Sequence, residues 1–442
     1  NIIVMSNLIV PTNISLTMLP GTTVFVTNGV SIIAGAGGTI QVNGEAGNRV
    51  TILPRGSGTI WRELSAQGAG ASLTMRYAEV AGGQTTVYSN AVGLLEDSYF
   101  RDYRISGTTL TQPIMLSSFA GQMTVRRCHF REYYETLFRD GVITVEDCLF
   151  EYMSGDALDF DGAQPGTVLR RSTFRHGTRA PTNIDAVDVG PGQLGRCRDV
   201  IIENCLMFDF PTDKGVSIGD APQQATGTVV RNCLIYGCLS GIQVKDSCFA
   251  EVYNCTIVSN RWGFTNYNKV NPSAPTGGGH TTNAHNNILW DNGVTVSMWN
   301  AGTLTADHCN LGNTNWPGDG NINVNPQFVN AASRDYRLGP NSPCRGAGRD
   351  GADMGATFPV GAPMALSHPR FESVTVSGAE VILHFWADNE KTYQIESTPS
   401  LSNPSWNQIA AVPAPPLPRL TELRTPLSGS TRFYRITSLP AP

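Results

Sequence analysis

One phrase recurs through the middle of the chain and limits every fold it can adopt. It reads TVRRCHF at 124–130, TVEDCLF at 144–150, VLRRSTF at 168–174, VIIENCLM at 200–207, TVVRNCLI at 228–235 and AEVYNCTIV at 250–258. Aligned on Cys128, Cys148, Ser172, Cys205, Cys233 and Cys255, the copies lie 20, 24, 33, 28 and 22 residues apart. A period in the twenties marks a stacked-repeat architecture. A unit that short cannot bury its own apolar face, so its neighbours must supply the core. Apolar and polar residues alternate within the phrase, which is strand periodicity. Before the Cys column stand Arg127, Asp147, Arg171, Asn204, Asn232 and Asn254. Asn visits the left-handed backbone region more readily than most residues, so this column predicts a tight bend between two short strands.

A second strand follows each phrase: DALDF at 156–160, DAVDV at 185–189, KGVSI at 214–218, SGIQV at 240–244 and WGFTN at 262–266. Two or three short strands per turn describe a coil of parallel strands. The pattern resembles the right-handed parallel β-helix of pectate-lyase-like proteins over roughly residues 1–356. That resemblance implies an all-β chain, a right-handed parallel β-helix solenoid, from a secreted or cell-surface bacterial protein. It does not choose a function, because the same repeat serves lyases, hydrolases, adhesins and scaffolds.

Composition narrows the partners. With 15% charged residues, 46 Gly and 27 Pro, the chain suits turn-rich β structure and excludes a coiled coil. A net charge of −5 without a basic run or phosphate loop argues against nucleic acid. No apolar stretch of about 18 residues is present, so no helical membrane span is expected. Asn1 is not an initiator Met, which suggests a mature secreted product or a piece of a longer protein. Five of the ten cysteines share the repeat column and Cys309 extends it. They are expected as a reduced, inward ladder, since free Cys behaves as a small buried hydrophobe. Cys197, Cys238, Cys248 and Cys344 fall off the column. No C-x-x-C pair is present, so a zinc site is not expected.

Residues 1–60 read as early rungs punctuated by Pro-Gly, Asn-Gly and Gly-Gly. A bare first rung would be an open sheet edge, which residues 1–10 or an upstream segment would have to cover. The run NPSAPTGGGHTTNAHN at 271–286 interrupts the repeats as a long excursion. The order N-P-x-F, D-Y-R-L, S-P and D-x-G-A at 325–356 resembles the closing segment of secreted β-helix proteins and is expected as a terminal cap. Residues 357–368 read as a linker. Residues 369–442 read as antiparallel strands with a hairpin turn at Asp388, Asn389 and Glu390. They resemble a small C-terminal β-sandwich suited to attachment.

Chemistry is expected on the second-strand series. Aligned on Ala157, Ala186, Gly215, Gly241 and Gly263, one outward column reads Asp159, Asp188, Ser217, Gln243, Thr265. The next reads Asp161, Gly190, Gly219, Lys245, Tyr267, and Asp156, Asp185, Asp213 and Lys214 lie just before. Carboxylates stacked at about 4.8 Å repel, raise one another's pKa or share a cation. Asp156, Asp159, Asp185 and Asp188 are therefore the candidate Ca2+ ligands, Ca2+ being the one cofactor considered. Asp159, Asp188 and Lys245 are the candidate catalytic residues. Asp161, Asp185, Lys214, Trp262 and Tyr267 are the candidate ligand-binding residues. The competing reading is that Asp marks turns, where it bonds its own backbone. His129 and His176 follow repeat strands; His280, His285 and His308 are scattered through and beyond the excursion, with no fixed spacing for a metal trio. Trp290, Trp299 and Trp316 complete an aromatic set suited to sugar stacking or to packing.

Enzyme signatures of this fold are incomplete. NID at 183–185, DKG at 213–215 and QVK at 243–245 resemble parts of the polygalacturonase pattern, but Gly-His-Gly is missing and Lys214 replaces the second acid. The R-x-P-x-x-R of pectate lyases is missing. Lys245 fits the Lys of chondroitinase-type lyases, with Tyr267 where an Arg belongs. IQVKDSCFAEVYNCTIVSN resembles units of very large secreted bacterial proteins. Two functions follow: a structural or interaction module that binds polysaccharide or another cell-surface component, or a polysaccharide lyase or glycoside hydrolase working on the acidic face.

Overall fold

The computed structural model describes the chain except residues 57–59, 102–113, 178–183, 193–196, 220–226, 362–368, 370, 388–390, 403, 415–418, 428–431 and 441–442. The chain divides into two compact units, residues 1–327 with 337–362 and residues 328–336 with 363–442.

The first unit is a coil of parallel strands. The first turn comprises β1 (Ile2–Val4), β2 (Leu8–Val10) and β3 (Ser15–Met18); the second comprises β4 (Thr23–Val26), β5 (Ser31–Ala34) and β6 (Thr39–Asn43). Each strand pairs in parallel with its counterpart one turn on, β1 with β4, β2 with β5 and β3 with β6. The repeat phrases continue the β3 series in one twelve-stranded sheet that ends at Thr303–Asp307. Inward positions form one apolar core along the coil. Phe100, Phe130, Phe150 and Phe174 stack there with centroids 4.8, 4.7 and 4.7 Å apart, the spacing of the strands themselves.

The predicted bend is present at every copy of the phrase. φ is positive at Arg127, Asp147, Arg171, Asn204, Asn232 and Asn254, and again at Asn286 and His308. Asn and Asp suit this conformation, whereas Arg needs external support. Links between adjacent rungs supply it. Arg127 Nε donates to Asp97 Oδ1 at 2.8 Å, Arg171 Nε to Asp147 Oδ1 at 2.7 Å, and Asn232 Nδ2 to Asn204 Oδ1 at 2.5 Å.

All ten cysteines are buried and free, as the inward ladder required. The column has a polar role besides packing. The thiols of Cys148, Cys205, Cys233, Cys255 and Cys309 each donate to the carbonyl two residues earlier, at 3.2–3.4 Å. Ser98 and Ser172 place their hydroxyls on the equivalent carbonyls at 2.7 and 3.1 Å. A small side chain with one weak donor is what the bend accepts, so Ser and Cys interchange there.

The end of the coil differs from a simple cap. Residues near Asn321 do close the last turn: Cys309 N donates to Asn321 Oδ1 at 2.9 Å, and Leu311 N to Ile322 O at 2.9 Å. The chain then returns along the side of the coil as a strap. Arg349 anchors it, with its guanidinium on Asp307 and on Asn283 Oδ1 at 2.9 Å. Gly355 N reaches Asn286 O, Ala356 N reaches Thr256 Oγ1, Thr357 N reaches Asn232 Oδ1, and Gly361 N reaches Asn204 O. Four rungs are crossed in succession. At Gly361 φ is +90° and an added Cβ would lie 2.6 Å from Thr173 Oγ1, so only glycine lets the strap lie this close. Residues 357–361, expected as linker, are bonded to the coil.

The second unit contains two three-stranded antiparallel sheets. Phe371–Ser377, Glu380–Ala387 and Arg419–Pro426 form one; Asn407–Val412, Lys391–Thr398 and Phe433–Pro440 form the other. Val381, Leu383, Phe385, Tyr393 and Ile395 alternate onto a shared core, as in a small sandwich. The expected hairpin turn at 388–390 lies outside the described residues.

Candidate functional site

The second-strand register is the one the sequence alignment implies. Asp159 pairs with Asp188, Asp188 with Ser217, Ser217 with Gln243 and Gln243 with Thr265. Asp161 faces Gly190, and Lys245 faces Tyr267. Leu158, Phe160, Val187 and Val189 point into the core, so the period of two turns Asp159, Asp161 and Asp188 to the other face. Lys245 stands two rungs beyond Asp188.

That face, outward in the strand register, is largely shielded from solvent. Asp156, Asp185, Ser217, Gln243 and Lys245 are buried, while Asp159, Asp161, Asp188, Lys214, Trp262 and Tyr267 are partly exposed.

Their partners divide them. Asp156 Oδ1 accepts the backbone N–H of Asp185 at 2.7 Å, and Asp185 Oδ1 accepts that of Lys214 at 3.0 Å. Lys214 Nζ lies 3.4 Å from Asp185 Oδ1 and also contacts Asp213. Asp161 is held by Arg139 at 2.8 Å. So Asp156 and Asp185 brace the next rung through its backbone rather than their own turns. Asp159 and Asp188 differ: one buried oxygen of each, Oδ1, has no hydrogen-bond partner, and the Ser217 hydroxyl beside Asp188 has none either.

Three of the four expected cation ligands converge. One oxygen each from Asp156, Asp185 and Asp188 lies within 4.8 Å of the others; Asp159 is outside this group. Among the described residues no other cluster of His, Cys or acids is close enough to share an ion. The histidines are engaged separately: His280 with Thr303 at 2.7 Å, His285 stacked on Tyr253 at 4.8 Å and His308 with Asp307 at 2.9 Å. His129 is buried against Glu151 at 2.9 Å and His176 meets Asp209 at 2.7 Å.

Burial dominates the electrostatics. It pushes Asp156 up to about 9, helped by Asp185 and Asp188. It pushes Asp185 up to about 8 although Lys214 opposes it. Asp159 is raised well above the carboxylate range by burial and then by Asp161 and Asp188. Asp161 is also raised by burial, against Arg139. Burial would lower Lys214, but Asp185 and Asp213 outweigh it and keep the ammonium charged.

Sequence reading missed Glu135. It opens the strand Glu135–Arg139 one rung upstream, where Leu137 pairs with Asp159. Burial pushes its carboxyl up to about 7, with the charges of Asp161 and Asp188 adding to the rise. The signal was available: ETLFR at 135–139 would have joined the second-strand series had the alignment been carried one turn back.

Downstream the face turns aromatic. Gln243 Nε2 donates to the Tyr267 hydroxyl at 2.9 Å, and Tyr267 stacks on Trp299 at 4.6 Å. Trp262 carries the Arg261 guanidinium over its ring at 4.7 Å, so one of its faces is taken.

Residues 114–311, which contain the whole acidic cluster, match the family described as "Right handed beta helix region". This stretch is a right-handed β-helix. Solved structures similar to the β-helix chain include the pectate lyase Pel9A, at 13% identity over 77% of this chain and 88% of that one, with a TM-score of 0.32. PfbA, a surface adhesin of Streptococcus pneumoniae, is 9% identical over 66% of this chain and 86% of that one, with a TM-score of 0.36. The PL6 family alginate lyase AlyGC is 12% identical over 84% of this chain and 60% of that one, with a TM-score of 0.42. No curated protein matches the chain. At these identities the likenesses concern fold and assign no activity.

Proposed function

We propose that this protein is an extracellular or cell-surface interaction module that binds an acidic polysaccharide through a divalent cation at Asp156, Asp185 and Asp188. The observation that carries the reading is the convergence of these three carboxylates within 4.8 Å, beside a buried Asp188 oxygen that has no partner. An all-carboxylate donor set suits a hard cation, Ca2+ before transition metals. Ca2+ takes about six to eight oxygens, so three protein carboxylates leave positions that a uronate-type carboxylate and water can fill. The partly exposed Lys214 adds a cationic group beside the acids, and the partly exposed Trp262 and Tyr267 add aromatic surface downstream. The supporting test is a calorimetric Ca2+ titration, followed by binding to a polysaccharide panel with and without Ca2+. Binding should require Ca2+ and should be lost in Asp188→Asn. A wild-type chain that takes up no divalent cation would falsify the reading.

A second reading, a lyase or glycoside hydrolase, is favoured by Glu135 and Asp159 on adjacent rungs, both raised towards the protonated form. Such a pair can give and take a proton near neutrality. Turnover of any panel member, abolished by Asp159→Asn with Ca2+ binding retained, would select it over the binding module.

A further inference from the structure

The outer face of the twelve-stranded sheet is a wall of the coil separate from the acidic cluster, and we infer that it is a contact surface for a linear polysaccharide bearing uronate groups, with no cation required. Arg76, Glu96, Arg126, Glu146, Arg170, Glu203 and Arg231 stand there, each paired in register with the next. The residue before each points into the core, so the period of two turns these seven outward. Basic and acidic side chains therefore alternate rung by rung. One residue further on, at the bends, Arg127 lies on Asp97 at 2.8 Å and Arg171 on Asp147 at 2.7 Å.

The acids lie beneath and the arginines above. The five carboxylate side chains are 4–18% exposed, whereas the six arginine side chains are 36–52% exposed. Six guanidiniums over five carboxylates leave one net positive charge, in a chain whose net charge is −5. The carboxylates hold the guanidiniums by Nε and Nη2. Among the described residues, Nη1 of Arg76, Arg126, Arg127, Arg170 and Arg171 donates to no protein group. Each guanidinium is thus fixed in orientation with donors to spare, and an incoming anion meets it at little conformational cost.

Charge density chooses the partner. Arg76, Arg126, Arg170 and Arg231 recur on every second rung, about 9.6 Å apart, and together span about 29 Å of the coil. Duplex nucleic acid carries one charge per about 1.7 Å of its axis. That is far more than this wall neutralises, and the carboxylates beneath repel the excess. A polysaccharide separates its acid groups by whole sugar rings, so its sparser charge matches a guanidinium on every second rung. Laid along the coil, such a chain meets each outward Nη1 in turn through charge-assisted hydrogen bonds.

Retention of the 442-residue chain on immobilised hyaluronan, which carries one uronate per disaccharide, tests the inference in the presence of EDTA. The wild type should be retained at low ionic strength, released by salt and not held by neutral dextran. The double variant Arg126→Gln, Arg170→Gln should bind about fivefold more weakly, the scale of two exposed ion pairs. It should still fold, because Glu96 keeps Arg76 and Arg127 and Glu146 keeps Arg171; an unchanged melting profile checks this. Arg424→Gln, on the second unit, should bind as the wild type does. EDTA silences the proposed cation site, so a wild type that hyaluronan does not retain overturns this inference and leaves the cation reading standing. Equal losses in the double variant and in Arg424→Gln, or tighter binding to duplex DNA than to hyaluronan, overturn it as well.

Discussion

Two groups of buried charge occupy the same rungs of this coil and behave in opposite ways. On the short strands after the bend, Glu151 is surrounded by Arg131 at 2.5 Å, Arg175 at 2.8 Å and His129 at 2.9 Å. Burial alone would raise its pKa, but the two guanidiniums outweigh it and hold the carboxyl well below the usual range. On the second strands, Glu135, Asp156, Asp159 and Asp185 are all raised, because desolvation meets too few cations. Arg139 and Lys214 are already bonded, to Asp161 and to the pair Asp185 and Asp213. A compensated cluster holds rungs together. An uncompensated one leaves a charge that a proton or a ligand must balance, which is why strongly perturbed groups gather at functional sites.

The sharpest way to break this comparison is to make the compensated cluster uncompensated. Glu151→Ala leaves two buried guanidiniums and His129 without their shared acceptor, and should cost about 3–5 kcal/mol of stability in a denaturant melt. A loss below about 1 kcal/mol would mean that water reaches this network and that the contrast is only one of distance.

Second in size is a pH effect of opposite sign for the two groups. Asp156 and Asp185 have folded values raised to about 9 and about 8, so their contribution is present below their unfolded value near 4 and is lost as pH rises to 9. Without Ca2+, stability should fall by a few kcal/mol at most, on the order set by two buried groups, between about pH 5 and pH 9. Saturating Ca2+ should oppose that fall, most at the alkaline end, where the ligands are already deprotonated. Glu151, held low, contributes above its unfolded value near 4 and loses that contribution as pH falls through its folded value. Melting temperature against pH, with and without Ca2+, separates the two limbs.

A smaller effect is expected from Asp188→Asn, which removes charge from the crowded face. Stability should hold or rise by about 1 kcal/mol without Ca2+, and Ca2+ should no longer raise the melting temperature. A marked destabilisation would move Asp188 into the structural class with Glu151. The smallest effect belongs to Cys233→Ser, within about 1 kcal/mol, since Ser already performs the same bond at positions 98 and 172.

Much of the coil could be read from single residues. Asn204, Asn232 and Asn254 announced the bends, and the Cys column announced the inward corner. The alignment on Ala157, Ala186, Gly215, Gly241 and Gly263 yielded the pairing of Asp159 with Asp188 and of Gln243 with Thr265. Glu135 escaped because the second-strand alignment begins at Ala157, one turn after ETLFR, although the phrase at 124–130 stands just before it. The strap escaped because its contacts are hydrogen bonds over separations such as 100 residues between Ala356 and Thr256 and 125 between Thr357 and Asn232, with no periodicity to signal them.

What the sequence alone determined is which side of the wall each residue occupies and which residue one turn away it meets, because a period of two and a repeated phrase are local properties. Whether an acid on the outer side is solvated, braced or left bare was decided only by the tertiary structure. Asp161 found Arg139, Asp185 found Lys214, and Asp188 kept a buried oxygen without a partner, although all three stand on two adjacent rungs. Desolvation and countercharge act over a few ångströms between residues 20 to 30 positions apart, and no local pattern encodes that sum.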